Sequence, residues 1–110
     1  MENICNYVFV FEKTPDTMRA YEYARVQYSD QNVIIMPTPN QIDQSCGLAV
    51  SIRGLDLNEQ ICFLNSLEIN AALFELTVSI DEKGTKRIVS AVKVGETGSK
   101  TLKNQHFPVD

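Results

Sequence analysis

The sequence predicts an α+β fold of the ferredoxin-like type: a split β-α-β-β-α-β sandwich whose antiparallel sheet carries two helices on one face, plus an extra C-terminal strand. Three observations carry this expectation. Short apolar runs rich in β-branched and aromatic residues are separated by two stretches of helical periodicity. Their order along the chain is strand, helix, strand, strand, helix, strand, strand. The 110 residues, 44% hydrophobic and 22% charged, suit one globular domain and are too apolar for disorder.

Residues 7–11 (YVFVF) are β-branched or aromatic throughout, as in a central strand buried on both faces. Thr14, Pro15 and Asp16 then read as a helix start, with threonine as the cap and proline at the first helical position. Met18, Tyr21, Ala24 and Tyr28 follow at helical spacing, with Arg19, Glu22 and Arg25 turned outward. This helix is expected to end near Ser29 and Asp30. Residues 33–36 (VIIM) form a second strand, stopped by Pro37 and Pro39, which lack the N–H that a sheet interior needs. Residues 40–44 suit one helical turn, and Leu48–Ile52 alternates as a third strand with one buried face, ended by Arg53 and Gly54.

Asp56 followed by Glu59 resembles a capping box. Leu57, Ile61, Leu64 and Leu67 form the apolar stripe of the second helix, with Cys62 and Phe63 beside it. Phe74, Leu76, Val78 and Ile80 alternate as a fourth strand, residues 81–86 turn around Gly84, and residues 88–94 return as a fifth. The expected organisation is one domain over residues 1–94 and a flexible tail over residues 95–110.

Composition removes several function classes. No apolar run approaches the ~20 residues that span a bilayer, and the N-terminus lacks the basic region of a secretory signal. The expectation is a cytoplasmic protein with no membrane partner. Three cysteines without a CxxC pair suit neither a disulfide framework nor a zinc site. His106, the only histidine, reads as a solvated tail residue, which removes most routes to a Cys/His or Ser/His dyad. No metal and no organic cofactor is called for. The net charge of −4 divides unevenly: residues 1–82 balance at −8 and residues 83–110 at +4. Such a basic arm suits an acidic protein face, on this chain or on a twin. Nucleic acid is a poor match, because the arm's one aromatic, Phe107, offers little base stacking.

Chemistry concentrates in residues 37–47 (PTPNQIDQSCG). Pro37 and Pro39 stiffen a loop at low entropic cost, so a group carried on it keeps its place. Gly47 lets a backbone or ligand come close, Ser45 offers a hydroxyl, and backbone N–H groups of residues 44–47 could form an anion-binding nest that favours thiolate at Cys46. The competing reading makes Cys46 a small buried hydrophobe at a strand end. Cys62, on the apolar side of its helix, and Cys5, near the N-terminus, read as structural. Arg53 is placed to reach an anionic ligand, though an exposed strand-end arginine needs no such role.

The PTP loop (Pro37, Thr38, Pro39), the run Ser45, Cys46, Gly47, Leu48 into a strand, and the opening YVFVFE together resemble the selenium/sulfur carrier-like proteins, over roughly residues 7–80. The resemblance implies a carrier cysteine at Cys46, a shaping loop at Pro37, Thr38 and Pro39, and a strand opening at Ser45 and Gly47. It implies selenium or sulfur held on Cys46 for delivery to a partner enzyme, a carrier rather than a turnover enzyme. A basic residue is common in that family just after the second proline; here Asn40 stands there. The alternative is a non-catalytic ferredoxin-like module for binding or homo-oligomerisation.

Overall fold

The structure, a computed structural model, describes residues 2–42 and 46–97. Residues 7–11 form the end of the central strand β1 (Glu2–Phe11). Helix α1 (Thr14–Gln27), strands β2 (Val33–Pro37) and β3 (Leu48–Ile52), helix α2 (Leu57–Ser66) and strands β4 (Ala71–Ile80) and β5 (Lys86–Glu96) follow. The sheet order is β2-β3-β1-β4-β5, every neighbouring pair antiparallel. That is the ferredoxin-like order with β5 added outside β4, as the sequence predicts.

Alternation along β1 sorts the core into two layers. Phe9 and Phe11 face the helices and pack with Ala20, Ala24, Val50, Ile52, Phe63, Leu64 and Leu73. Val8 and Val10 face the other way, toward Ala49, Leu76 and Ile42. The loop after Pro39 therefore lies across the sheet's second face, with Ile42 only 7% exposed. Gln41 Nε2 fastens this loop by donating to the Ile88 carbonyl of β5 at 3.0 Å. Strand β3 is buried on both faces, not on one: Ala49, under this cover, and Ser51, beyond it, are nearly as hidden as Val50 and Ile52.

Helix α1 packs through Thr17, Ala20 and Ala24, small side chains that let it lie close to the sheet. Met18, expected on the inner stripe, is exposed, and Tyr21 and Tyr28 flank the core. Lys13 is the cap and Thr14 the first helical residue, so the threonine does not cap. The helix stops at Gln27, the Tyr28 N–H donating to the Ala24 carbonyl at 2.8 Å.

The capping box of α2 is present: Asp56 Oδ1 accepts the Glu59 N–H at 2.8 Å, and Glu59 Oε1 accepts the Asp56 N–H at 3.1 Å. The helix buries Gln60, Phe63 and Leu64. Gln60 Nε2 donates to the carbonyls of Ile52 and Leu55 at 3.0 and 3.4 Å, tying the helix to the end of β3. Cys62 is exposed rather than on the apolar side, because one residue's rotation of about 100° carries it off the face that Phe63 occupies. The side chain of Cys5 is not among those described.

The β4–β5 hairpin turns at Asp81, whose Oδ1 accepts the N–H groups of Lys83 and Thr85, both at 2.9 Å. Gly84 takes a φ of +83° there, the left-handed region that glycine adopts without strain. Both strands exceed their predicted lengths, and two register shifts, at Leu73/Phe74 and Thr77/Val78, twist the pair. Beyond β5, Thr97 Oγ1 accepts the Ala71 N–H and donates to the Ile69 carbonyl, each at 2.8 Å. Gly95 and Glu96 thus belong to the sheet, while the tail expected at the C-terminus, with His106 and Phe107, lies outside the described residues.

Candidate functional site

In this topology β3 starts beside the end of β1, and α1 starts just after that same end. Three segments distant in sequence therefore converge where Cys46 sits. The Cys46 N–H donates to the Phe11 carbonyl at 2.9 Å, which fixes the residue against the last position of β1. Its sulfur lies 3.0 Å from Thr17 Oγ1 in the first turns of α1, and 3.6 Å from the Leu48 carbonyl. Cys46 is half-buried.

Burial pushes the Cys46 thiol up, but hydrogen bonding outweighs it. The Thr17 hydroxyl, the backbone of Leu48, the Thr14 hydroxyl and the residue's own backbone together hold Cys46 below the ordinary thiol range. The positive end of the α1 dipole acts in the same sense. Thr17 serves both charge states. Beside the thiol, its hydroxyl donates to the Lys13 carbonyl at 3.4 Å and accepts from S–H; beside the thiolate, the hydroxyl turns its proton to sulfur.

The PTP loop meets the other side of this strand opening. The Thr38 N–H donates to the Gly47 carbonyl at 3.0 Å, so Thr38 and Gly47 are joined directly. Pro37, expected to stop short of the sheet, is the last residue of β2 and pairs with Leu48. It is tolerated because β2 is an edge strand and no ladder N–H is demanded of it. Pro39 is buried, and its carbonyl accepts the Ile42 N–H at 3.0 Å in a turn. Thr38 Oγ1 is buried without a hydrogen-bond partner among the described residues. Gly47 adopts a φ of +92° and has open space where a Cβ would stand, so the backbone turn, not crowding, demands glycine.

Of the residues singled out in the sequence, Cys46, Pro37, Thr38, Pro39 and Gly47 thus share one end of the sheet, and Ser45 lies outside the described residues. The expected nest has lost one donor, since the Cys46 N–H is committed to Phe11. Thr14 and Thr17 are the functional residues that reading the segment alone misses. The signal for them was the helix start TPDT directly after YVFVFEK, which the split βαβ topology carries to the neighbouring strand.

Among the described residues no cluster of His, Cys, Asp and Glu suits a metal ion, and no helix is long and apolar enough to cross a membrane. Comparison with curated proteins and with solved structures returns no match. The sequence model of the family described as "Putative Se/S carrier protein-like" matches residues 6–73, from β1 to the start of β4. That span is more than half of the chain and holds the whole PTP loop, Cys46 and the start of α1, and on it the chain belongs to this Se/S carrier protein-like family.

Proposed function

We propose that Cys46 is a chalcogen-carrying cysteine that receives sulfur or selenium from one protein and gives it to another. The observation that carries this reading is the Thr17 hydroxyl 3.0 Å from the Cys46 sulfur at the start of a 14-residue helix. A carrier thiol has to be thiolate when it attacks and has to survive as an adduct. The hydroxyl and the helix end stabilise negative charge on sulfur, and half-burial shields the product.

The step balances without a separate oxidant. The Cys46 thiolate attacks the outer sulfur of a donor persulfide, the donor S–S bond breaks, and the donor leaves as a thiolate while Cys46 becomes the persulfide. Selenium replaces the transferred sulfur atom for atom. A partner thiolate then repeats the exchange on the outer atom and returns Cys46 to its thiolate form. The PTP loop, joined to Gly47 through the Thr38 N–H, supports the reading as the group that positions the adduct, a role in which Ser45 is expected to share.

Intact-mass analysis of the chain purified without reductant tests it. The expected result is an added sulfur or selenium atom that maps to Cys46 and is lost in Cys46→Ser. Adducts that map equally to the exposed Cys62 would overturn it, because they would mark general thiol oxidation.

A second reading, self-association, has its own observation. Strand β5 is an 11-residue edge with Val89 and Val92 more than half exposed, the kind of edge that pairs with another copy. Light scattering is expected to show a dimer that Val89→Lys with Val92→Lys reduces to a monomer; an unchanged mass would exclude this edge.

A further inference from the structure

Among the described residues, Ile42 covers the second face of the sheet at the end near Cys46. Toward the other end the described residues leave a concave trough of about 310 Å³, to which all five strands contribute. Its floor is apolar: Val8 of β1, Met36 of β2, and Leu76 and Val78 of β4. Asn6 and the buried Ser51 place polar groups in that floor. Three cations stand at its rim. Arg53 follows Ser51 by two positions and so shares its face, and Lys86 pairs across the hairpin with Ile80, two positions on from Val78. Arg87 is shared with a second cavity on the other side of the hairpin.

None of these three cations is in an ion pair among the described residues, where the ion pairs are Arg19–Asp16, Arg25–Glu22 and Lys93–Glu96. Like charges gathered over an apolar floor repel one another until an anion joins them. An arginine fork matches carboxylate or phosphate oxygens, and lysine adds a point charge. The volume is at the lower end of the range typical of small-molecule sites, roughly 300–1,000 Å³.

We propose that this trough is a second binding site for a small organic anion, a carboxylate or phosphate on a short apolar body. The anionic end lies between Arg53 and Lys86, and the apolar body lies on Met36, Val8 and Leu76. Arg53 is just beyond the end of β3 opposite to Cys46, roughly 20 Å away along an extended strand, so the two sites are distinct. Lys86, Arg87, Leu76 and Val78 also fall outside the span that matches the family, residues 6–73. The site is therefore completed by the part of the chain that this match leaves unassigned.

Titration of the isotope-labelled full chain with hexyl phosphate and with hexanoate, followed by amide chemical shifts, tests the proposal. Saturable shifts are expected at Ser51, Arg53 and Ile88 with at least one probe, smaller ones with inorganic phosphate, and none with hexylammonium. Arg53→Glu and Lys86→Glu are each expected to weaken binding about tenfold or more, while Cys46→Ser binds as the natural chain does. Where a charge reversal disturbs shifts elsewhere, Arg53→Gln or Lys86→Gln replaces it. Equal shifts with hexylammonium, shifts centred on the start of α1, no saturable shift, or affinity indifferent to both substitutions would overturn the site. Retained probe binding in Cys46→Ser with no chalcogen adduct in the natural chain would refute the carrier reading and leave this one standing.

Discussion

Thr17→Val should slow thiol modification of Cys46 at neutral pH by about three- to tenfold, and shift the midpoint of its pH–rate profile upward. The direction follows from the hydroxyl's place 3.0 Å from sulfur and its lowering effect on the thiol. Without it, burial, which raises the thiol, meets less opposition. The measurement belongs in a background with Cys5→Ser and Cys62→Ser, because Cys62 is exposed and would react alongside. Thr17→Ser keeps the hydroxyl and is expected to retain the natural profile, which separates hydrogen bonding from packing at this buried position. A midpoint that does not move in Thr17→Val rules out the hydroxyl as the source of activation.

The same substitution has a stability consequence whose sign is fixed. A thiol that titrates lower in the folded chain than in the unfolded one stabilises the fold at pH above the unfolded value. That contribution disappears as pH falls through the folded value, so Thr17→Val reduces the rise in stability between acid and alkaline pH, whatever pH-independent cost the loss of its bonds to the thiol and to Lys13 adds.

Phe63→Ala is expected to cost about 3–5 kcal/mol of folding free energy, the largest stability effect of any substitution considered. Its ring is 1% exposed and meets Phe9 edge-on at 5.1 Å, stacks on Tyr23 at 5.5 Å and meets Tyr28 edge-on at 5.7 Å. It therefore links α2, the central strand and α1 at one point, and the cavity left by alanine borders all three. Urea unfolding with unchanged slope and a lower midpoint checks this. A loss below about 1.5 kcal/mol would mean the surrounding tyrosines collapse into the space.

Much of this was legible in the residues, and what was not has physical causes. YVFVF announced a strand buried on both faces because no other setting suits five such side chains in a row. The capping box announced itself because its partners are three residues apart and make local hydrogen bonds. The PTP loop and Cys46 could be named together, but Thr17 could not, since 29 positions separate it from the sulfur that it touches. Ala49 read as the open face of β3 because its cover, Ile42, arrives from a loop that crosses the sheet. Pro37 looked excluded from the sheet until the strand order placed β2 at an edge. Cys62 went wrong for a different reason: with Phe63, Leu64 and Ile61 around it, α2 is apolar over too wide an arc for periodicity to pick the inner face.

The pairing of β1 has a consequence for synthesis of the chain. Of the described strands, β1, the sheet's centre, leaves the ribosome before the others, and Phe11 lies opposite Ala71, 60 residues later. At ~5–20 residues per second, that interval lasts about 3–12 s. Through it the nascent chain carries YVFVF with only the short partner β3, paired at Phe9 and Val50 and at Val10 and Ala49. Early arrival of α1, whose Ala20 and Ala24 pack against this strand, shields one face while β4 is still being made. This apolar strand is thus made before its neighbours and fully paired late, which makes it a natural landing place for a chaperone during translation.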